Sequence, residues 1–126
     1  MDSDDRPLSP HLQIYRFPTT VITSITHRIT GALLALGTLG VTYWLIALAS
    51  GPQVYAAARA FFGNGFVQLI LFFWTYALFY HLCNGIRHLG WAIDYGFELE
   101  RARKSAVAVF VAAGILTVIT WLFALS

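Results

Sequence analysis

Phe66-Val-Gln-Leu-Ile-Leu-Phe-Phe-Trp74-Thr-Tyr-Ala-Leu-Phe-Tyr-His81-Leu-Cys-Asn-Gly85-Ile-Arg87-His88 decides the fold. Its first 21 residues, Phe66 to Ile86, are an apolar run long enough to cross a bilayer as a helix. An ionisable group placed in mid-membrane costs about 2.5–3.5 kcal/mol, so a histidine there points to function. His81, Gly85 and His88 follow at i, i+4 and i+7 and share one helix face. An imidazole on an apolar helix, beside a glycine that admits something bulky, is one way for a bundle to hold a haem. A histidine hydrogen-bonded to a neighbouring helix is the other, and spacing alone leaves both open.

The whole chain agrees with a membrane setting. Of 126 residues, 58% are hydrophobic and 11% charged, which is not a soluble composition. The expected fold is all-α, an integral membrane three-helix anchor forming one domain over residues 1–126. Its spans are expected at 20–49, 66–88 and 105–125, with residues 1–19 as a cytoplasmic segment. The first holds an uncharged run from Gly31 to Ala49 after a more polar lead-in from about Thr20, so that each apolar stretch is about 20 residues, matching a hydrocarbon core of about 30 Å. Gly51-Pro52 is expected to stop the first helix, Gly63-Asn64-Gly65 to precede the second, and the polar segment Asp94–Lys104 to separate the second from the third.

Orientation follows from the eight lysines and arginines. Arg6, Arg16 and Arg28 precede the first span, and Arg87, Arg101, Arg103 and Lys104 lie between the second and third. Arg59 alone falls in the other loop. The positive-inside rule then places the N-terminus in the cytoplasm and the C-terminus outside. The acidic start, Met1-Asp-Ser-Asp-Asp5, lacks a signal- or transit-peptide pattern, which leads to an expected bacterial plasma-membrane location. The mitochondrial inner membrane is the alternative. Cys83 is the single cysteine and reads as a small core residue. A net charge of +2 gives no indication of a nucleic-acid partner.

A second polar cluster lies at the same depth. In Ser24-Ile-Thr-His27-Arg28-Ile-Thr-Gly31, residues Ser24, His27 and Arg28 are i, i+3 and i+4 on one face, and Gly31 continues it one turn deeper. His27 and Arg28 fall at the cytoplasmic rim of the hydrocarbon, where an arginine alone would snorkel to water. His81, six residues before Arg87, lies about 9 Å beneath that rim, and Arg87 and His88 come level with His27 and Arg28. A haem standing edge-on would put iron on the deep imidazole and propionates among the rim cations. A quinone would instead use Ser24 and Arg28 as donors to a carbonyl gaining negative charge.

Three motifs in order carry a family resemblance: Arg6-Pro-Leu-Ser-Pro-His11-Leu-Gln-Ile-Tyr15, Ser24-x-x-His27-Arg28-x-Thr30-Gly31 and His81-x-x-Asn84-Gly85-Ile-Arg87-His88-Leu89. Together they resemble the cytochrome b large membrane-anchor subunit of succinate dehydrogenase, respiratory complex II. The resemblance implies a haem b shared with a smaller anchor subunit, with His81 as axial iron ligand and the second ligand from that partner. It places His27, Arg28 and His88 near the haem propionates, and Ser24 and Arg28 at a ubiquinone site. It implies docking to an iron–sulfur subunit that carries a flavoprotein, with His11 as a surface contact to the former. No flavin or iron–sulfur motif occurs in the sequence, so no flavin is expected here, and with one cysteine the chain is not expected to hold a cysteine-ligated cluster.

One departure stands out. The family places an aspartate four residues after the position of His88, whereas here Asp94 is six residues on. It therefore lies on a different face unless the helix ends first, and a solvated carboxylate is expected rather than a proton donor. The chain is expected to contribute to quinone reduction without being the dehydrogenase. A quinol:fumarate reductase anchor and a non-redox membrane scaffold are the alternatives.

Overall fold

The computed structural model describes residues 18–126 as four helices: α1 (Thr19–Ala49), α2 (Pro52–Phe62), α3 (Gly65–Ala92) and α4 (Leu99–Leu125). The motif around His11, and Arg6 and Arg16, lie outside the described residues. Helices α1, α3 and α4 are long and apolar enough to cross a membrane. The 31 residues of α1 extend about 46 Å, well beyond a hydrocarbon core of about 30 Å. Its polar first turns therefore reach the interface while the rest spans.

Helix α2 was not expected. The segment between the first two spans reads as a loop because Gly51-Pro52 breaks α1, but the same pair starts a new helix. Gly51 takes φ 106, a conformation open to glycine, and Pro52 occupies the first helical turn, where its missing N–H costs nothing. Good helix formers Ala56, Ala57 and Ala58 follow, and Tyr55 and Phe62 pack against Trp44 of α1 at ring distances of 5.1 and 5.4 Å. Helix α3 then begins at Asn64, whose side chain accepts from the Phe66 amide at 3.0 Å.

The interior is small and the exterior large, the reverse of a soluble bundle. The buried residues of α4 are Ala102, Ala106, Val109, Ala113 and Thr117, a stripe of small side chains along one face. Lipid gives no hydrophobic drive for helices to associate, so they pack through small residues that let backbones approach. Leu36, Leu39, Leu89 and Phe123 point outward. Tyr80 fills the centre, fully buried against Val109 and Ala113, with its hydroxyl donating to the Thr23 carbonyl of α1 at 2.7 Å. Cys83 is half-buried and packs on this cluster.

Helices α1 and α3 run antiparallel in a fixed register. Thr30 and Gly37 are seven residues apart on α1; the residues they meet, His81 and Trp74, are seven apart on α3 in the opposite sense. A Cβ on Gly37 would overlap the Trp74 indole, whose Nε1 donates to the Leu33 carbonyl at 3.1 Å.

Residues 99–104, expected in a connecting segment, are the first turns of α4, where the exposed pairs Arg101–Glu98 (3.2 Å) and Lys104–Glu100 (2.8 Å) follow helical spacing. Helix α3 ends before Asp94. The Tyr95 amide donates back to Gly90 O and the Asp94 amide to Trp91 O, both at 3.0 Å, a Schellman arrangement with Asp94 at φ 58 in the position glycine usually takes. Asp94 is exposed at the helix end. Its offset from the family spacing thus coincides with termination of the helix.

Candidate functional site

Three imidazoles meet between α1 and α3. The His27 and His81 rings are stacked, centroids 3.9 Å apart and 7° from parallel, and the His88 ring lies 5.3 Å from His27. The helical periods explain the meeting: His81 and His88 share a face of α3, and His27 lies on the face of α1 turned toward it. His88 is exposed and also touches Trp91 edge-on at 4.9 Å, whereas His81 is half-buried. The Nδ1 of His27 is buried with no hydrogen-bond partner, an orphan that a well-satisfied packing histidine would not leave.

Ser24 is half-buried on the same stretch of α1, and Arg28 is exposed beside it. Neither makes a side-chain hydrogen bond with another described residue. Gly85 leaves open space: nothing lies within 4 Å of where a Cβ would stand. Gly31 does the opposite, since a Cβ there would come 3.1 Å from His81 Cε1, so it serves close helix contact.

Arg87 does not join the rim with Arg28, His27 and His88, as its level in the sequence suggested. One residue of helical rotation carries it to the α4 side. There Nε donates to Ser105 Oγ (2.8 Å), Nη2 to the Ala102 carbonyl (3.0 Å) and Nη1 to Asn84 Oδ1 (3.2 Å), and Cζ lies 4.1 Å from the Trp91 ring centre. It is a buried clamp between α3 and α4.

Sequence reasoning gave no role to Thr30. It is buried, and its Oγ1 lies 2.9 Å from the His27 carbonyl and 3.1 Å from His81 Nδ1. The signal was present in the motif as a hydroxyl three residues after His27, but only the partner helix reveals what it touches. At the other end, α1, α2 and α3 enclose a groove lined by Gly40, Val41, Trp44, Phe62, Ile70 and Trp74 among others, with no ionisable group. Chemistry therefore belongs to the histidine end.

Comparison with known proteins gives the family. Residues 2–120 match the family model described as succinate dehydrogenase/fumarate reductase transmembrane subunit. The chain is 43% identical over 116 residues to a succinate dehydrogenase cytochrome b556 subunit of Paracoccus denitrificans, covering 92% of this chain and 89% of that one. It is 39% identical to the cytochrome b556 subunit of Rickettsia felis, over 92% and 90% of the two chains. A cytochrome b560 subunit of Reclinomonas americana is 34% identical, over 94% and 85%. This chain, with three helices long and apolar enough to cross a membrane, thus belongs to the succinate dehydrogenase/fumarate reductase transmembrane subunit family.

Proposed function

We propose that this chain is the haem b-binding, ubiquinone-reducing anchor of a succinate dehydrogenase, passing electrons from an iron–sulfur subunit to ubiquinone. The observation that carries the proposal is the meeting of His27, His81 and His88 between two helices long and apolar enough to cross a membrane. The names of the relatives, cytochrome b556 and b560 subunits, support the haem.

The residues present fit such a group. His81 has Nδ1 engaged by Thr30, while its Nε2 makes no hydrogen bond with a described residue. The space beside Gly85 suits a flat macrocycle, and the orphaned His27 Nδ1 suits a propionate oxygen. Bound there, haem b would supply a one-electron redox centre. His81 would hold its iron together with a ligand from the smaller anchor subunit, and His27, Arg28 and His88 would hold the propionates through charge-assisted hydrogen bonds. The Ser24 hydroxyl and Arg28 guanidinium would donate to a ubiquinone carbonyl, and the arginine's fixed charge favours the negative charge that oxygen gains on reduction. In this reading the N-terminus faces the cytoplasm, where the iron–sulfur subunit docks carrying its flavoprotein.

Arg28→Leu in the purified complex tests the site. Succinate oxidation with a water-soluble dye should persist, while ubiquinone reduction should fall about ten- to a hundredfold, the effect of losing a charge-assisted hydrogen bond of about 1.5–3 kcal/mol. Loss of both activities together with complex yield would make Arg28 a structural anchor and overturn its placement at the quinone. Fumarate reduction by quinol outpacing succinate oxidation would assign the reverse direction.

A further inference from the structure

Thr30 touches two groups with one hydroxyl, and that is enough to settle a tautomer. Its Oγ1 is 2.9 Å from the His27 carbonyl oxygen and 3.1 Å from His81 Nδ1. A hydroxyl has one proton to give, and a carbonyl oxygen only accepts. Both contacts are hydrogen bonds only when the proton goes to His27 O and Oγ1 accepts from His81 Nδ1–H. A neutral imidazole carries a single N–H, so Nε2 then keeps its lone pair. The i−3 back-bond to the helix carbonyl, common for threonine, thus becomes the far end of a relay: His27 C=O, Thr30 Oγ1, His81 Nδ1–H.

The same turn of α1 also fixes the ring's attitude. His27 stacks on one face of the His81 imidazole at 3.9 Å, and Gly31 brings the helix so near that even a Cβ would stand 3.1 Å from Cε1. The ring therefore has little freedom to rotate, and its Nε2 edge is left without a described partner. We propose that Thr30 is a positioning residue, holding His81 in the tautomer and orientation that present Nε2 to a metal. This inference rests on the reading of His81 as the iron ligand. A hydrogen bond from Nδ1–H makes the opposite nitrogen a stronger donor, which favours ferric over ferrous iron and lowers the potential of the haem it holds.

The test uses the full complex with Thr30→Val, which removes the hydroxyl at nearly constant shape, and Thr30→Ser, which keeps it. Thr30→Ala serves as a second hydroxyl-free variant should valine impair assembly. The readouts are haem content, the low-spin electron-spin signal and the midpoint potential by redox titration. The hydroxyl-free variants should weaken haem retention about 10–100-fold, the usual cost of losing a partner that orients a ligand. They should also raise the potential, by about 59 mV for each tenfold loss borne by the ferric state alone. Thr30→Ser should restore both. Unchanged potential and spin signal in the hydroxyl-free variants, or a serine variant that behaves like alanine, would overturn the proposal. His81→Ala separates the two levels. If it keeps the low-spin signal, the ligand reading itself fails. If it loses that signal while the Thr30 variants are silent, only the role of Thr30 fails.

Discussion

Tyr80, Asn84 and Arg87 each stand one residue before His81, Gly85 and His88, and one residue turns an α-helix by about 100°. The first trio is buried, pinned to α1 by the Tyr80–Thr23 bond and to α4 by two hydrogen bonds of Arg87, whose third goes to Asn84 on its own helix. The second trio is more exposed and faces an orphaned nitrogen, an open space and a stacked imidazole. Both faces carry polar groups at comparable depth, so polarity inside an apolar helix does not identify a site. What separates them is how many of their polar groups bond to neighbouring helices of the chain. The closed face makes its bonds to α1, α4 and its own helix, leaving Asn84 Nδ2 alone without a partner, and holds the helices together; on the open face neither imidazole of α3 is tied to α4, and His27 Nδ1 is left for something the chain does not supply.

Breaking the closed face should have the larger effect on stability. Arg87→Leu removes a donor from Ser105, Asn84 and the Ala102 carbonyl at once. At about 1 kcal/mol for each hydrogen bond in a membrane protein, the expected loss is about 3 kcal/mol. Complex yield and thermal midpoint should drop, while the visible spectrum of whatever assembles keeps its position. A shifted spectrum at normal yield would move Arg87 to the open face.

A smaller loss is expected at the contact that sets the α1–α3 register. In Gly37→Ala the new methyl displaces the Trp74 indole from the Leu33 carbonyl, an overpacking cost of about 1–3 kcal/mol. Thermal stability should fall without loss of a cofactor spectrum. If stability is unchanged, the glycine is not what brings the two helices together.

The smallest effect is expected at the end of α3. Asp94→Gly relieves a left-handed residue that carries a Cβ, a gain of up to about 1 kcal/mol. Quinone reduction should be unchanged. A marked fall in quinone reduction at normal yield would make Asp94 a proton donor after all.

How much of this was readable beforehand differs between the two faces. The spans and the histidine face follow from apolar length and helical spacing, both carried by single helices. Arg87 was misplaced because its neighbours, Ser105 and Ala102, come from a helix whose rotation the sequence does not set. Thr30 went without a role for the same reason, since its partner lies 51 residues away. Helix α2 was hidden because glycine and proline end one helix and begin another with the same two letters. In each case local chemistry was visible and the choice of partner was not.

The claim on which the rest depends is that His81 on the open face holds the iron. Its most direct test is His81→Ala in the purified complex, read by reduced-minus-oxidised visible spectroscopy and the low-spin electron-spin signal. The account predicts that the b-type band and that signal are lost or strongly weakened, while α3 and α4 stay joined through Arg87. An unchanged band and an unchanged signal would contradict it.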